Sequence, residues 1–149
     1  MDSIDAQLLR ILAEDARCSA TDIRSEEVNL SIPAVNKRIS RLRENGIIER
    51  FTIQLNPQKI NSSVQAFVLL VVDQYSRVNE LLEFVNAKEN IVDCYAITGE
   101  YDYQLRLYAR DITELESILL ELKGKKCVSK SHTIFVLMEH KHMLGPFTT

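Results

Sequence analysis

The chain has 149 residues, of which 46% are hydrophobic and 26% are charged, a balance typical of a packed globular protein rather than a disordered one. Its net charge of −3 at pH 7 argues against a general polyanion binder, but it allows a local one, because counterion release depends on where the charges lie. The basic charge is concentrated: residues 31–50 carry five basic and two acidic side chains, whereas residues 1–30 carry three and seven.

The cysteine count and the hydropathy of the chain indicate the cellular compartment in which it works. Cys18, Cys94 and Cys127 are odd in number and far apart, which fits reduced thiols better than a disulfide framework or a zinc site. The start, MDSIDAQLLR, lacks the features of a secretory signal, and the longest apolar run, AFVLLVV, is too short to span a bilayer. We therefore expect a cytoplasmic protein.

The first fifty residues predict three helices. Asp2 or Ser3 can cap the first helix, and the tetrapeptide SATD at 19–22 has the form of a capping box for a second helix that runs to about Val28. Asn29, which tolerates a left-handed conformation, and Ser31, a capping residue, lead into the third. Two helices joined by a tight turn predict a helix-turn-helix motif.

The third helix has two different faces. Pro33 falls in its first turn and Asn45-Gly46 supplies its end. Its apolar face consists of Ile32, Val35, Ile39 and Leu42. The opposite face is small and basic, and no carboxylate occurs between Ser31 and Arg43. A solvated face is the ordinary explanation of such a pattern, but the turn, the cap and the small residues at the helix start favour insertion into a DNA major groove.

Residues 47–63 predict a strand followed by a polar break. Phe51, Ile53 and Leu55 alternate with polar residues, and the segments 56–57 and 61–63 are loop signals. The predicted domains are a helix-turn-helix domain at 1–50, a linker strand and loop at 51–63, and a second domain at 64–149.

The second domain shows alternating periodicities. Strands are predicted over 65–73, 91–98, 102–109 and 127–138, and helices over 76–88 and 111–123. The order βαββαβ predicts an α+β, ferredoxin-like split arrangement. Residues 66–72 are apolar on both faces of their strand, so the sheet face without helices is expected to need a second subunit as cover.

Five segments in order resemble the leucine-responsive/asparagine-responsive (Lrp/AsnC) family of transcriptional regulators: IDAQLLRILAEDAR at 4–17, LSIPAVNKRISRLRENGII at 30–48, NPQKI at 56–60, TGEYDYQL at 98–105 and SHTIFVL at 131–137. Asn29 and Asn61 stand where the family often has glycine, and the second helix is one residue longer than usual. Both asparagines suit a positive φ.

The resemblance implies a winged-helix-like DNA-binding domain and a sensing domain that responds to a small effector, with an amino acid expected. It also implies homodimers, formed through the sheet and paired linker strands, that assemble into octamers. Carried over to this chain, the groove-facing residues are Ser31, Pro33, Ala34, Lys37 and Arg41. Lys37 and Arg41 are expected to contact bases or phosphates, and Asn36 and Arg38 to anchor phosphates.

The family's effector loop corresponds to Thr98, Gly99, Glu100, Tyr101 and Asp102. Asp102 is expected to bind the α-ammonium group and backbone N–H groups the α-carboxylate. Ser131 and Thr133 share a strand face and are expected to supply hydroxyl groups. Without the resemblance, Gly99 reads as a turn glycine and Asp102 as its cap.

Other chemistry finds little support in the sequence. His140 and His142 form a terminal H-x-H pair that is read as a solvated tail, so neither a metal nor a cofactor is expected. No nucleophile–base motif or phosphate loop is present, and an enzyme is not predicted. Two alternatives remain: an effector-binding scaffold without DNA function, and an enzyme similar to the haem-pathway decarboxylases that share this fold.

Overall fold

A computed structural model describes residues 1–25 and 28–142 of the chain. These residues form two compact units. The N-terminal unit comprises Met1–Gln54 with Lys141 and His142, and the C-terminal unit comprises Leu55–His140. The first two helices of the prediction are present, but the part of the second that falls on residues 26–27 lies outside the described residues.

Local capping explains where the N-terminal helices begin. Helix α1 (Ser3–Glu14) starts with a full capping box, in which Asp2 accepts from the Asp5 N–H at 2.8 Å and Asp5 accepts from the Asp2 N–H at 3.1 Å. Before α2 (Ala20–Ser25), Ser19 and Asp22 exchange the same kind of bonds, as the SATD motif predicts.

Helix α3 (Ile32–Glu44) has Ser31 as its N-cap residue and Pro33 in its first turn, as predicted, although the Ser31 side chain makes no cap hydrogen bond. Asn45 ends the helix, and Gly46 follows with a φ of 70°, a conformation that costs glycine little. Asn29 does not adopt the predicted left-handed conformation: among the described non-glycine residues, only Asn61 has a positive φ.

The three helices bury one apolar cluster, formed by Leu8, Leu12, Ile23, Val28 and Val35. Leu42 is also buried, whereas Ile32 at the helix start is 37% exposed, so the apolar stripe of α3 faces the core over most of its length but not at its first residue.

The predicted linker strand differs from the structure. Residues 51–56 carry no strand, and a 3₁₀ helix at Pro57–Ile60 follows them. Phe51, Ile53 and Leu55 alternate as the sequence indicates, yet all three are exposed. A strand requires a hydrogen-bonding neighbour, and no described strand of the chain pairs with this segment.

The C-terminal unit confirms the predicted βαββαβ order. Its elements are β1 (Val64–Val72), α4 (Val78–Ala87), β2 (Ile91–Ala96), β3 (Tyr103–Ala109), α5 (Ile112–Lys123) and β4 (Val128–Phe135), with a 3₁₀ turn at Tyr75–Arg77. The sheet is antiparallel with strand order β2-β3-β1-β4, the ferredoxin-like arrangement. Asn61, just before β1, has a φ of 55°, as predicted.

The two faces of the sheet are unequal. One face packs on α4 and α5 through a buried cluster that includes Val68, Leu70, Leu105 and Leu107. We call the other the open face. By strand alternation it carries Phe67, Leu69, Val71, Tyr95, Tyr108 and Ile134. The same face also carries polar residues, among them Arg106, Lys130 and His132. Tyr95 and Ile134 are 54% and 44% exposed, so the apolar side chains of this face are incompletely covered.

The ladder between β1 and β4 is interrupted at one point. Val71 pairs with Lys130 but Val72 pairs with Val128, so Ser129 is an extra residue in a β-bulge. The Ser129 hydroxyl donates to the Val71 carbonyl at 3.3 Å. The bulge lies on the β4 side of β1, whereas the Val72 N–H points to the β3 side and donates to Asp102.

Candidate functional site

The outward face of α3 is the first candidate site. Ser31, Pro33, Asn36, Lys37 and Arg41 are exposed, and Ala34 is half-buried. In the part of the chain that the structure describes, Lys37 makes no ion pair. The residues assigned to the groove-facing surface therefore do lie together on one accessible face.

Arg38 differs from that group, because it is paired inside the N-terminal unit. Its Nη1 lies 2.7 Å from Asp2 Oδ2 and 2.7 Å from Asp5 Oδ1. Only 23% of the Arg38 side chain is exposed. Two carboxylates thus neutralise the guanidinium, which argues against its predicted use as a phosphate anchor.

Asp5 is the centre of this cluster. Its side chain is 2% exposed and also accepts from Arg41 Nη2, at 3.1 Å and 3.3 Å to its two oxygens. Arg41 itself stays 54% exposed. We call Asp2, Asp5, Arg38 and Arg41 the acidic–basic cluster, a grouping that no sequence pattern predicted.

Electrostatics agree with the geometry. The hydrogen bond from the Asp5 N–H and that from Arg38 lower the pKa of Asp2 below 3.8. Burial raises the pKa of Asp5, but the bond from Arg38 and the Asp2 N–H outweigh burial, and the net pKa is lowered from 3.8. Bonds to both carboxylates raise the pKa of Arg38. Asp2, Asp5 and Arg38 are therefore charged at neutral pH.

The second candidate site is the loop between β2 and β3. Thr98, Gly99 and Glu100 are exposed, whereas Tyr101 and Asp102 are half-buried. Gly99 has a φ of 119°, so glycine is required there by backbone conformation rather than by crowding, since a Cβ would meet nothing within 4 Å.

Asp102 joins the loop to the sheet. Its backbone N–H donates to the Leu70 carbonyl at 2.8 Å. Its Oδ2 accepts from the Val72 N–H at 2.7 Å, and its Oδ1 accepts from the Tyr75 hydroxyl at 3.0 Å. The bond to Asp102 raises the pKa of Tyr75. Asp102 therefore has a structural task in addition to any bond with an effector ammonium group.

The loop also reaches the edge strand β4. Lys130 Nζ lies 2.7 Å from Glu100 Oε1 and 5.2 Å from the centre of the Tyr101 ring. The Tyr101 ring stacks on His132 with 6.2 Å between ring centres. The hydrogen bond to Lys130 lowers the pKa of Glu100, and the same bond raises that of Lys130.

Ser131 and Thr133 lie on the other face of β4. They stand opposite Leu70 and Val68, which belong to the helix-covered core, so alternation turns them away from the face that carries Lys130 and His132. The structure describes no hydrogen bond from either hydroxyl to the loop. The loop Thr98–Asp102 thus contacts Lys130 and His132 on β4 and not the predicted Ser131 and Thr133.

The contacts that the sequence did not predict share one property: each joins two residues that are far apart in the chain. Arg38 lies 33 residues from Asp5, and Tyr75 lies 27 residues from Asp102. The sequence contains only weak signs of these contacts: an aspartate in the first turn of α1 and a tyrosine just after β1.

Two further features bear on function. Among the described residues, no three His, Cys, Asp or Glu side chains are grouped as metal ligands would be. Within the same ranges, no helix has the length and apolar content that crossing a bilayer requires.

A helix-turn-helix unit with an exposed basic helix, followed by a βαββαβ unit with a loop site, defines a two-domain transcriptional regulator. Residues 1–49 match a model described as winged helix-turn-helix DNA-binding, and residues 65–145 match the Lrp/AsnC ligand binding domain. The HTH-type transcriptional regulator FL11 of Pyrococcus abyssi is 31% identical, over 95% of this chain and 92% of its own.

Solved structures agree with these matches. A transcriptional regulator of Neisseria meningitidis in complex with L-Met superposes with a TM-score of 0.91 at 27% identity, covering 97% of this chain and 94% of its own. An AsnC family regulator of Agrobacterium tumefaciens gives 0.89 at 27% identity, over 98% and 96%. The chain belongs to the Lrp/AsnC family of transcriptional regulators: it binds DNA through its N-terminal unit and carries a ligand-binding domain.

Proposed function

We propose that this protein is a regulator that binds specific DNA sites through α3 and whose binding responds to an amino acid. The DNA contacts are assigned to Ser31, Pro33, Ala34, Asn36, Lys37 and Arg41. The observation that carries this assignment is the exposure of a small, basic face on a helix whose other face is buried. Such a helix presents its N-terminal end to the major groove, where small residues permit close approach.

The proposed effector site is the loop from Thr98 to Asp102 with its neighbours Lys130 and His132. The loop offers a glycine with accessible backbone, and Lys130 on β4, which is paired with Glu100 at 2.7 Å, has further N–H groups for a ligand carboxylate. The Neisseria relative was crystallised with L-Met, which supports an amino acid as the effector class here. Asp102 keeps its assignment to the α-ammonium group, because the bonds from Val72 and Tyr75 use one lone pair on each carboxylate oxygen and leave the other for a ligand.

We also propose that the chain forms homodimers that associate into octamers. The support lies in two uncovered apolar surfaces, the open face of the sheet and the exposed alternating residues Phe51, Ile53 and Leu55. A second copy would give the linker segment the strand partner that it lacks in the described chain. Leu69→Arg should then reduce the mass measured by light scattering, whereas Glu83→Arg on α4 should not.

No catalytic step is assigned, and a cytoplasmic location is proposed with the regulatory role. The decarboxylase-like alternative has a direct test: absorption spectra after siroheme addition. A bound chromophore with turnover would replace the regulatory assignment of the C-terminal unit.

Fluorescence anisotropy with genomic fragments enriched by the protein tests the main proposal. Titrations at several salt concentrations, with and without L-Met or a pool of amino acids, should give tight, salt-dependent binding that an amino acid shifts. Salt-dependent binding that no amino acid alters would refute the effector proposal. Equal affinity for enriched and shuffled duplexes would refute site-specific DNA recognition.

A further inference from the structure

Arg41, one of the proposed DNA contacts, also belongs to the acidic–basic cluster. Arg41 uses Nη2 for both oxygens of Asp5, at 3.1 Å and 3.3 Å, and the structure describes no other side-chain bond of its guanidinium. A guanidinium has five N–H groups, so the three on Nη1 and Nε are left for another acceptor. With 54% of the side chain exposed, they are accessible.

Asp5 is well suited to act as a fixed support. It is 2% exposed, it belongs to the capping box of α1, and Arg38 binds it from the side at 2.7 Å. Its position is therefore set by α1 and by Arg38, independently of Arg41. Arg41, by contrast, borders a cavity of about 390 Å³ that Asp2, Asp5, Leu42 and Asn45 also line, so its guanidinium has room to move if Asp5 releases it.

We propose that Asp5 is a positioning residue for DNA recognition: it orients Arg41 through one nitrogen, while Arg38 fixes Asp5 and does not contact DNA. This inference rests on the proposed assignment of Arg41 to the DNA surface. Pre-orientation matters because a long side chain that is already held loses less freedom when it binds a base or phosphate.

The cluster also affects the charge that DNA meets. Asp2 and Asp5 balance Arg38 and Arg41, so the four side chains sum to zero. Removing the charge of Asp5 makes the surface more positive, which favours non-specific binding, while it frees Arg41, which weakens specific binding. A residue that only stabilised the fold would instead change both affinities in the same direction.

The test is the ratio of affinities for an enriched genomic duplex and a shuffled duplex of equal length, measured by anisotropy on the full-length protein. Asp5→Asn should lower this ratio by about tenfold, in the range of one base contact, without weakening binding to the shuffled duplex. Asp15→Asn is the matched control: it makes the same charge change at the other end of α1, where Asp15 accepts from the Arg17 N–H, and should keep the ratio.

A double mutant separates the two proposals. If Asp5 acts through Arg41, Asp5→Asn should add nothing to the loss caused by Arg41→Gln. A wild-type ratio in Arg41→Gln would remove Arg41 from the DNA surface and refute the proposed contact. A loss in Arg41→Gln with none in Asp5→Asn would refute only the positioning role.

Asp5→Asn can also fail by unfolding, which circular dichroism and a melting curve would reveal. Arg41→Lys is then the deciding variant, because an ammonium group keeps the charge but has a single nitrogen to share between Asp5 and DNA. The ratio should fall in this variant while the salt dependence stays at the wild-type value. A wild-type ratio in Arg41→Lys would overturn the proposal.

Discussion

Replacing Asp102 by alanine removes the acceptor of a buried backbone group. Val72 is 3% exposed, and its N–H points to the β3 side, beyond the last β1–β3 ladder pair, Leu70 and Tyr103. This N–H donates to Asp102 Oδ2 at 2.7 Å. A hydrogen bond to a charged group contributes about 2 kcal/mol, and an unsatisfied buried N–H costs a similar amount. Asp102→Ala should therefore destabilise the C-terminal unit by about 2 kcal/mol.

The chain offers a selective assay for this loss. It contains no tryptophan, and all five tyrosines lie in the C-terminal unit, at positions 75, 95, 101, 103 and 108. Tyrosine fluorescence during urea unfolding thus reports this unit alone. With a slope of about 1 kcal/mol per molar urea, the midpoint should fall by about 2 M, at matched protein concentration because oligomerisation adds to stability.

Tyr75→Phe is the matched control, since it removes the other side-chain partner of Asp102 without uncovering a buried N–H. Tyr75 is 68% exposed, so water replaces its bond and the midpoint should move far less than in Asp102→Ala. If both variants unfold at the same urea concentration, or if Asp102→Ala keeps the wild-type midpoint, the proposed structural role of Asp102 as the acceptor for the Val72 N–H is wrong.

Three more predictions concern the loop, the cluster and the DNA surface. Gly99→Ala should lower the free energy of unfolding by about 1 kcal/mol in the same urea assay, because a residue with a Cβ disfavours a φ of 119°. Gly124→Ala, at a φ of −72°, should be close to neutral. Equal losses in the two variants would contradict this prediction. The pKa of Asp5 is lowered in the folded chain, so its stabilisation is complete above 3.8 and is lost as pH falls through the folded pKa. Circular dichroism melts should show a gap between wild type and Asp5→Asn at pH 6 that narrows in acid; a gap independent of pH would refute the charge argument. Lys37→Ala should lower the salt slope of DNA binding by about 1, while Lys59→Ala in the C-terminal unit should leave it unchanged.

Features set by neighbouring residues were predictable from the sequence. The SATD motif forms its capping box, Asn61 adopts its positive φ, and the βαββαβ order leads to the expected strand order. In each case the structure depends on bonds within a few residues or on a periodicity, which a linear sequence displays directly.

Features that need a partner were not predictable. The alternation at Phe51–Leu55 is real, but a strand also needs a neighbour, and none is described in this chain. The face of β4 that meets the loop depends on the register with β1, and only that register turns Ser131 and Thr133 away. Arg38 carries the charge of a phosphate anchor, but the packing of α1 on α3 gives it two carboxylates.

The bond between Val72 and Asp102 has a consequence for how related chains diverge. The β1–β3 ladder ends at the pair of Leu70 and Tyr103, so the Val72 N–H has the carboxylate of Asp102, 30 residues away, as its acceptor. The length of the loop before β3 and the carboxylate therefore form one inherited unit, since a change in either removes the acceptor from this backbone group. Across an alignment of the family, an insertion or deletion next to the aspartate should occur together with its replacement, and descendants that carry only one of the two changes should be rare.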